Sequence, residues 1–332
     1  MESKGGPTVG GASVESGMNA VVLDRFGGVD ELSSRRIPVP EVGDDDVLIR
    51  VEFAGVGSWD AAERAGDYDG AFGIPSTFPY VLGWDAAGTV AAVGRNVTRF
   101  DPGERVYAAT MPMVRGGLYA EYGVVEAEFV ARVPDRLPLE QAGPMGWDAL
   151  TALSGLDLLG LRPGETLMVF GASGGIGHMA VQLARHGGIR VLAVASGDDG
   201  VALARRLGAD AVVDGRRDDV LAAALGFAPD GLDAALVTVG GEIAERSLRA
   251  IRSSGRIAWP NGVLPLPVTS LDATVSYYDG DRGRAATDRL NAIIEASSFE
   301  VHVARTFPLE RAQDAHRALD DHYLGKLVLR VG

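Results

Sequence analysis

The residues best placed to do chemistry are consecutive: Val169-Phe170-Gly171-Ala172-Ser173-Gly174-Gly175-Ile176-Gly177. An apolar strand precedes this turn, and an amphipathic helix carrying Val181, Leu183 and Ala184 follows it. A pyrophosphate needs such an arrangement. Gly174 lets the backbone approach the anion closely, and Gly177 lets the helix pack against the strand. The helix start adds unpaired N–H groups and the positive end of a dipole. Ala172 stands where the usual fingerprint begins with glycine, so the pattern is A-x-G-x-x-G. The order of strand, turn, helix and second strand around it makes it a dinucleotide signature. Ala172, Ser173, Gly174, Gly175, Ile176 and Gly177 are therefore candidate cofactor ligands, joined by Val239 and Gly240 beyond the fourth strand of the same domain.

The end of the second strand bears on which dinucleotide binds. An acidic side chain there would hold a ribose 2'-hydroxyl and repel a 2'-phosphate. The chain has Ala195, followed by the hydroxyl of Ser196, with Arg205, Arg216 and Arg217 as cations that could reach a phosphate. This favours NADP(H) over NAD(H). Asp198 and Asp199 lie just beyond, as either a solvated helix start or a repulsive element.

Elements that could position such a turn alternate along the second half of the chain. Strands are expected at Thr166 to Phe170, Arg190 to Val194, Ala211 to Val213, Leu232 to Val237 and Arg256 to Trp259. Helices are expected at Ile176 to His186, Asp199 to Leu207, Asp218 to Leu225 and Glu242 to Ile251, with another, Trp147 to Leu159, ahead of them. Alternation of this kind demands a parallel sheet covered on both faces. Before it, short β-type runs at Ala20 to Leu23, Asp46 to Phe53, Gly88 to Val93, Arg105 to Ala109 and Tyr119 to Val125 read as a compact, barrel-like body. After it come an apolar run around Val275 to Tyr278, a helix at Arg284 to Ser297 and a final strand at Lys326 to Val331, a tail that can return to the first domain. The expected organisation is a disordered tail over 1–17, one domain from 18–142 and 280–332, and a cofactor-binding domain over 143–279.

Composition sets limits on function. The chain has 332 residues and a formal net charge of -14, which argues against nucleic acid or an anionic membrane as partner. There is no cysteine, so disulfides, thiolate nucleophiles and cysteine-ligated zinc or iron–sulfur sites are excluded. The first seventeen residues lack the apolar segment of a secretory signal, and no run approaches the roughly 18 apolar residues of a membrane span. The expectation is a soluble, cytoplasmic protein. The five histidines, His178, His186, His302, His316 and His322, show no pair at metal-binding spacing and read as surface or capping residues.

Beyond the glycine turn, a set of motifs resembles the zinc-independent quinone oxidoreductase branch of the medium-chain dehydrogenase/reductase superfamily, from Met18 to Val331. They are Met18 to Leu23, Val81-Leu82-Gly83-Trp84-Asp85-Ala86-Ala87-Gly88, Val93-Gly94, Pro102 to Val106, Leu207-Gly208-Ala209-Asp210 and Gly325-Lys326-Leu327-Val328-Leu329. The resemblance implies an α/β protein: a catalytic domain with a GroES-like β-barrel, a Rossmann doubly wound domain inserted into it, substrate in the cleft, and a homodimer formed through the edge strand near Val275. Zinc-dependent relatives place a cysteine near Gly57 to Trp59 and a histidine–glutamate pair after Gly83. Trp84 and Asp85 stand there instead, so a metal-free site is expected.

Metal-free members imply hydride transfer from NADPH to a small apolar acceptor, a quinone, enone or enoyl thioester, which then takes a proton. The family often carries Asn at the position of Gly57 and, in some branches, Tyr at that of Ala62. Both polar groups are missing here, which leaves open a redox-neutral tailoring enzyme (a cyclase or isomerase) or a non-catalytic dinucleotide-binding protein on the same fold. By correspondence, Tyr68, Asp60 and Asp148 are the candidate proton carriers. For Asp60 a turn aspartate bonding its own backbone, and for Asp148 a helix cap or first-turn acid, are the alternatives. Trp59, Trp84 and Trp147 are candidate walls for a flat acceptor. Thr151 matches a position near the nicotinamide and shares a helix face with Asp148. Lys326 matches a lysine that can reach the cofactor, or is an ordinary strand-start lysine, as Tyr68 is either a proton donor or a wall residue.

Overall fold

The structure, a computed structural model, describes residues 8–9, 12–13, 17–112, 116–267 and 273–332. The tail expected over 1–17 lies outside the described residues except for Gly17 and a short antiparallel pairing of Thr8–Val9 with Ala12–Ser13; residues 113–115 also lie outside them.

Two compact units divide the chain: residues 1–147 with 303–332, and residues 148–302. The first is built around the long strand Asp46–Val56, which pairs antiparallel with Asp85–Val93, Tyr122–Glu126 and the C-terminal strand Lys326–Arg330. The tail thus returns to the first unit, as the sequence suggested. Gly88 is required where Asp85–Val93 crosses the central strand, because a Cβ there would overlap the Arg50 carbonyl oxygen. A smaller sheet joins Met18–Leu23 to Ser33–Ile37 and Tyr80–Val81. Val22, Leu23, Ile49, Leu82, Leu118 and Leu327 are among the fully buried side chains of this unit's core.

The second unit is a six-stranded, all-parallel sheet. Its order is Ala211–Asp214, Arg190–Ala195, Thr166–Phe170, Leu232–Val237, Ile251–Pro260 and Thr274–Tyr278. Every residue of Thr166–Phe170 is buried, as a central parallel strand covered on both faces requires. The strand order reverses beside Thr166–Phe170, and the carboxyl end of that strand opens the glycine turn, the usual ligand position in such sheets.

The boundary between units differs from the expected one at both ends. Residues 143–147 stay with the first unit: Gly143 abuts the Phe53 backbone and Trp147 N–H bonds Asp85 Oδ2 at 3.3 Å. Residues 280–302 belong to the second. There Asp281 N–H bonds Ser154 Oγ at 2.9 Å, Gln182 Nε2 bonds the Glu300 carbonyl at 2.9 Å, and the helix Arg284–Ala296 buries Thr287, Leu290 and Ile294. The chain's return to the first sheet occurs only at Val303–Pro308, which pairs with Lys326–Arg330. Among the described residues no helix is long and apolar enough to cross a membrane.

Candidate functional site

In the second unit, Gly171 turns the chain off its strand with φ 88°, and Gly171 and Ala172 N–H both bond the Val194 carbonyl, at 3.1 and 2.9 Å. The helix Gly175–His186 starts on Gly174, which supplies no side-chain cap. A Cβ on Gly177 would overlap the Gly171 carbonyl, so the helix can sit this close only with glycine there. A Cβ on Gly174 would meet nothing nearer than the Gly171 oxygen at 3.5 Å. That open face, over a helix start without a side-chain cap, fits a pyrophosphate. Ala172 and Ser173 are buried under the turn.

His178 braces the turn from below. Its Nδ1 lies 2.8 Å from the Gly174 carbonyl, and its Nε2 accepts the His302 N–H at 3.1 Å. A carbonyl can only accept and an N–H can only donate, so the ring is neutral with its proton on Nδ1. His178 is fully buried and His316 nearly so, which corrects the expectation of surface or capping histidines. Neither shows in a spacing pattern because each makes contacts far away in the chain: His316 accepts Arg64 Nη1 at 2.8 Å and packs edge-on to Tyr119.

At the end of the second strand Ala195 is buried, and Ser196 is the N-cap of the helix Gly197–Arg206 but makes no capping bond. Arg217 is engaged with Asp198 at 2.7 Å, so Asp198 is a paired helix-start acid, while Asp199 accepts Gly200 N–H. Among the described residues Arg205 and Arg216 are exposed and make no ion pair; Arg216 N–H holds the Asp214 carboxylate at 2.9 Å. Val239 is exposed past the fourth strand, and Gly240 lies against the Leu264 and Pro265 carbonyls with no room for a side chain. Asp148 and Thr151 are both buried in the first turns of Gly146–Leu159, so Asp148 is a first-turn acid; Tyr278 Oη bonds the Thr151 carbonyl at 3.0 Å.

The first unit gathers most of the other candidates around the helix Ser58–Ala65, which the sequence reading did not anticipate. Its buried face is made by Asp60 and Glu63, one turn apart. Asp60 Oδ2 accepts the Gly57 N–H at 2.8 Å, the local bond expected of a capping aspartate. Yet the residue is fully buried, and burial with the nearby Asp60 carboxyl raises the Tyr119 phenol well above its ordinary value. Burial pushes the Asp60 carboxyl well above the usual range; its Gly57 bond opposes this, Asp85 and Glu63 reinforce it, and Lys326 opposes it. Lys326 is buried too, its ammonium 4.7 Å from the centre of the Trp59 ring. The lysine read as a cofactor contact is therefore placed beside the acids of the first unit.

Glu63, which no sequence motif marked, accepts from both Tyr80 Oη and Trp84 Nε1. Burial raises its carboxyl to about 7 despite these two bonds. Trp84 continues into a row of aromatic rings: Tyr68 on one side at 5.5 Å and Trp147 on the other at 5.2 Å, both edge-to-face. Trp147 Nε1 is tied to the Thr110 carbonyl at 3.0 Å. Burial, with Glu63, Asp67 and Asp60 nearby, raises the Tyr68 phenol, so it keeps its proton at neutral pH. Trp59 stands apart from this row, over Gly57, with Nε1 buried and unpartnered. A cavity of about 460 Å³, between Asp30, Leu32 and Arg311, lies away from all these residues. Among the described residues no three histidine, aspartate or glutamate side chains are grouped to hold a metal.

Comparison with known proteins agrees with this architecture. Residues 43–135 match the alcohol dehydrogenase GroES-like domain family and residues 175–261 the zinc-binding dehydrogenase family. The chain is 34% identical to an alcohol dehydrogenase of Rhizobium meliloti over 279 residues, 76% of this chain and 80% of the relative. It is 31% identical over 329 residues to a chloroplastic NADPH-dependent alkenal/one oxidoreductase of Arabidopsis thaliana, covering 96% of this chain and 81% of the relative. The quinone oxidoreductase structure from Coxiella burnetii superposes with a TM-score of 0.82 at 25% identity, over 95% of this chain and 100% of that one. With a GroES-like unit, a Rossmann-type parallel sheet and these relatives, the chain is an oxidoreductase of the medium-chain dehydrogenase/reductase superfamily, whose members use a nicotinamide dinucleotide.

Proposed function

We propose that this protein is a zinc-independent, NADPH-dependent reductase of a small, flat, conjugated acceptor. The observation that carries the reading is the aromatic row Tyr68–Trp84–Trp147, in which Tyr68 and Trp147 are half-buried and Trp84 is buried between them. Trp84 and Asp85 in place of a histidine–glutamate pair, and the lack of any cysteine near Gly57 to Trp59, support chemistry without zinc. NADPH, when bound, supplies the hydride. The residues that would hold it are Gly174, Gly175, Ile176 and Gly177 at the pyrophosphate, Ser196 and Arg216 at the 2'-phosphate, and Thr151, Val239 and Gly240 toward the nicotinamide. The NADPH dependence of the Arabidopsis relative supports the same choice.

Half-buried Trp147, with buried Trp84 packed behind it, offers ring surface against which a planar acceptor is oriented. Tyr68, protonated at neutral pH, donates a hydrogen bond and then its proton to the acceptor oxygen. Asp60 in the first unit and Asp148 in the second, both buried, are the other proposed proton carriers. A second copy is the proposed partner, through the edge strand Thr274–Tyr278, beside which Tyr277, Leu264 and Leu266 are exposed. Steady-state oxidation of NADPH and NADH against quinones, aliphatic enones and enoyl thioesters tests the reading. Binding of NADPH with no turnover of any acceptor would sink it.

A further inference from the structure

The strands Arg190–Ala195 and Ala211–Asp214 end level with each other: Ala195 and Asp214 are register partners, and the Gly215 N–H bonds the Ala195 carbonyl at 2.8 Å. The turns that follow them leave the sheet side by side, next to the glycine turn, which is itself bonded to Val194. Asp214 is buried, and its Oδ1 accepts the Arg216 N–H at 2.9 Å, an aspartate turn in which the side chain bonds the backbone two residues on. That bond holds the carboxyl below its ordinary range against burial, and the Gly197 N–H and then the Arg217 and Arg216 charges add to it. Arg217 Nε lies 3.6 Å from Asp214 Oδ2 and Arg217 Nη1 2.7 Å from Asp198 Oδ1, so one guanidinium spans both turns. A buried carboxylate that stays ionised needs such donors, and here they come from both turns.

We propose that Asp214 is a positioning and specificity-determining residue for the dinucleotide, locking the 195–198 and 214–217 turns into one rim on which Ser196 and Arg216 meet the adenosine 2'-phosphate together. This rests on the reading of the cofactor as NADPH. The charge balance of the rim supports it. Arg217 is spent on Asp198 and Asp214, which leaves the exposed Arg216 guanidinium, without an ion pair among the described residues, for a phosphate. Ser196 starts its helix without making a capping bond, so its hydroxyl is free for the same ligand. Arg216 is exposed and Ser196 half-buried, so a ligand reaches both from solvent. Holding the two turns before the ligand arrives lowers the ordering cost of binding. NADH lacks the 2'-phosphate and needs neither group.

The test measures binding to the whole protein by calorimetry, with adenosine 2',5'-bisphosphate and 5'-AMP as probes that differ only in the 2'-phosphate. Asp214→Asn keeps the shape and one acceptor oxygen, but its NH2 group donates where the carboxylate accepted. Kd for the bisphosphate should rise about tenfold, the scale of one charge-assisted hydrogen bond, while Kd for 5'-AMP stays within about twofold. In an Arg216→Ala background the same change should add less than about threefold, because the larger part of its effect runs through Arg216. Equal losses for both probes, or a full tenfold loss added to Arg216→Ala, would reduce Asp214 to a structural residue. An unchanged bisphosphate Kd, in a protein that prefers it to 5'-AMP, overturns the role of Asp214 and leaves the NADPH reading standing. A wild type that binds both probes equally overturns both readings. Should Asp214→Asn fail to fold, amide hydrogen exchange of the wild type decides. Slow exchange at Gly197 and Arg216 without any nucleotide supports the proposal, and free exchange at either overturns it.

Discussion

Trp59 lies across Gly57: its ring carbons Cε2 and Cζ2 are each 2.7 Å from where a Cβ on that glycine would stand. An indole, covered by the Lys326 ammonium, occupies the space that a side chain at position 57 would need. The backbone of Gly57 is extended, at φ -132°, so any residue could adopt it and the demand for glycine is purely steric.

Gly57→Ala should therefore destabilise the first unit by overpacking, at about 1–3 kcal/mol. Urea unfolding followed by circular dichroism measures this. The same loss should be absent in Gly57→Ala combined with Trp59→Ala, because the clash partner is gone. A single variant as stable as wild type would show that Trp59 swings aside freely.

Two glycines of the phosphate turn should separate folding from binding. Gly177→Ala collides with the Gly171 backbone and should lower both the melting temperature and NADPH affinity. Gly174→Ala meets no protein atom closer than 3.5 Å, so stability should change by no more than about 0.5 kcal/mol. NADPH Kd, read from nicotinamide fluorescence, should nonetheless rise about tenfold, or about 1.4 kcal/mol. Unaltered affinity in Gly174→Ala would move the pyrophosphate elsewhere.

Arg216→Ala should weaken NADPH binding and leave NADH binding close to wild type, since only a 2'-phosphate needs the guanidinium. Arg217→Ala should have the smaller effect, because that side chain is already paired with Asp198. Equal losses for both dinucleotides would show that Arg216 does not select between them.

Stability should respond to pH in two opposing ways. Glu63 is raised from 4.5 to about 7 by burial, so folding holds a proton that the unfolded chain releases. Its contribution is fully present below about pH 4.5 and is lost as pH rises through 7, amounting to on the order of 3 kcal/mol. His316 is lowered from 6.5 to about 3 by burial and by Arg64, so its contribution is present above about pH 6.5 and lost as pH falls toward 3. Glu63→Gln should flatten the fall in melting temperature between pH 5 and 8, and His316→Gln the fall between pH 6 and 4. Parallel pH profiles for wild type and both variants would place the titrating groups elsewhere.

The Rossmann unit was legible because its signals are local. Thr166–Phe170, Leu232–Val237 and the start of the helix Arg284–Ala296 fall where apolar runs and turn residues put them, and Gly177 has the mechanical reason read from the motif. The helix Ser58–Ala65 was not legible. Its inward face carries Asp60 and Glu63 in place of apolar residues, so hydrophobic periodicity has nothing to register there. The partners that make those acids tolerable, Tyr80, Trp84 and Lys326, come from other stretches of chain. For the same reason Trp84 could be named as a wall from its position in a motif, while the acid that holds it could not.

The pairing of Lys326–Arg330 with the far end of Asp46–Val56 also has a meaning for synthesis. The central strand of the first sheet leaves the ribosome well before its partner, and its Phe53–Val56 edge waits for Leu327–Arg330, which is translated after the whole parallel-sheet unit. The parallel-sheet unit, continuous in sequence, can close during that interval, since domains fold as they emerge. The first unit's sheet is finished only when Lys326–Arg330 arrives, and the first residue of that strand also brings positive charge to Asp60.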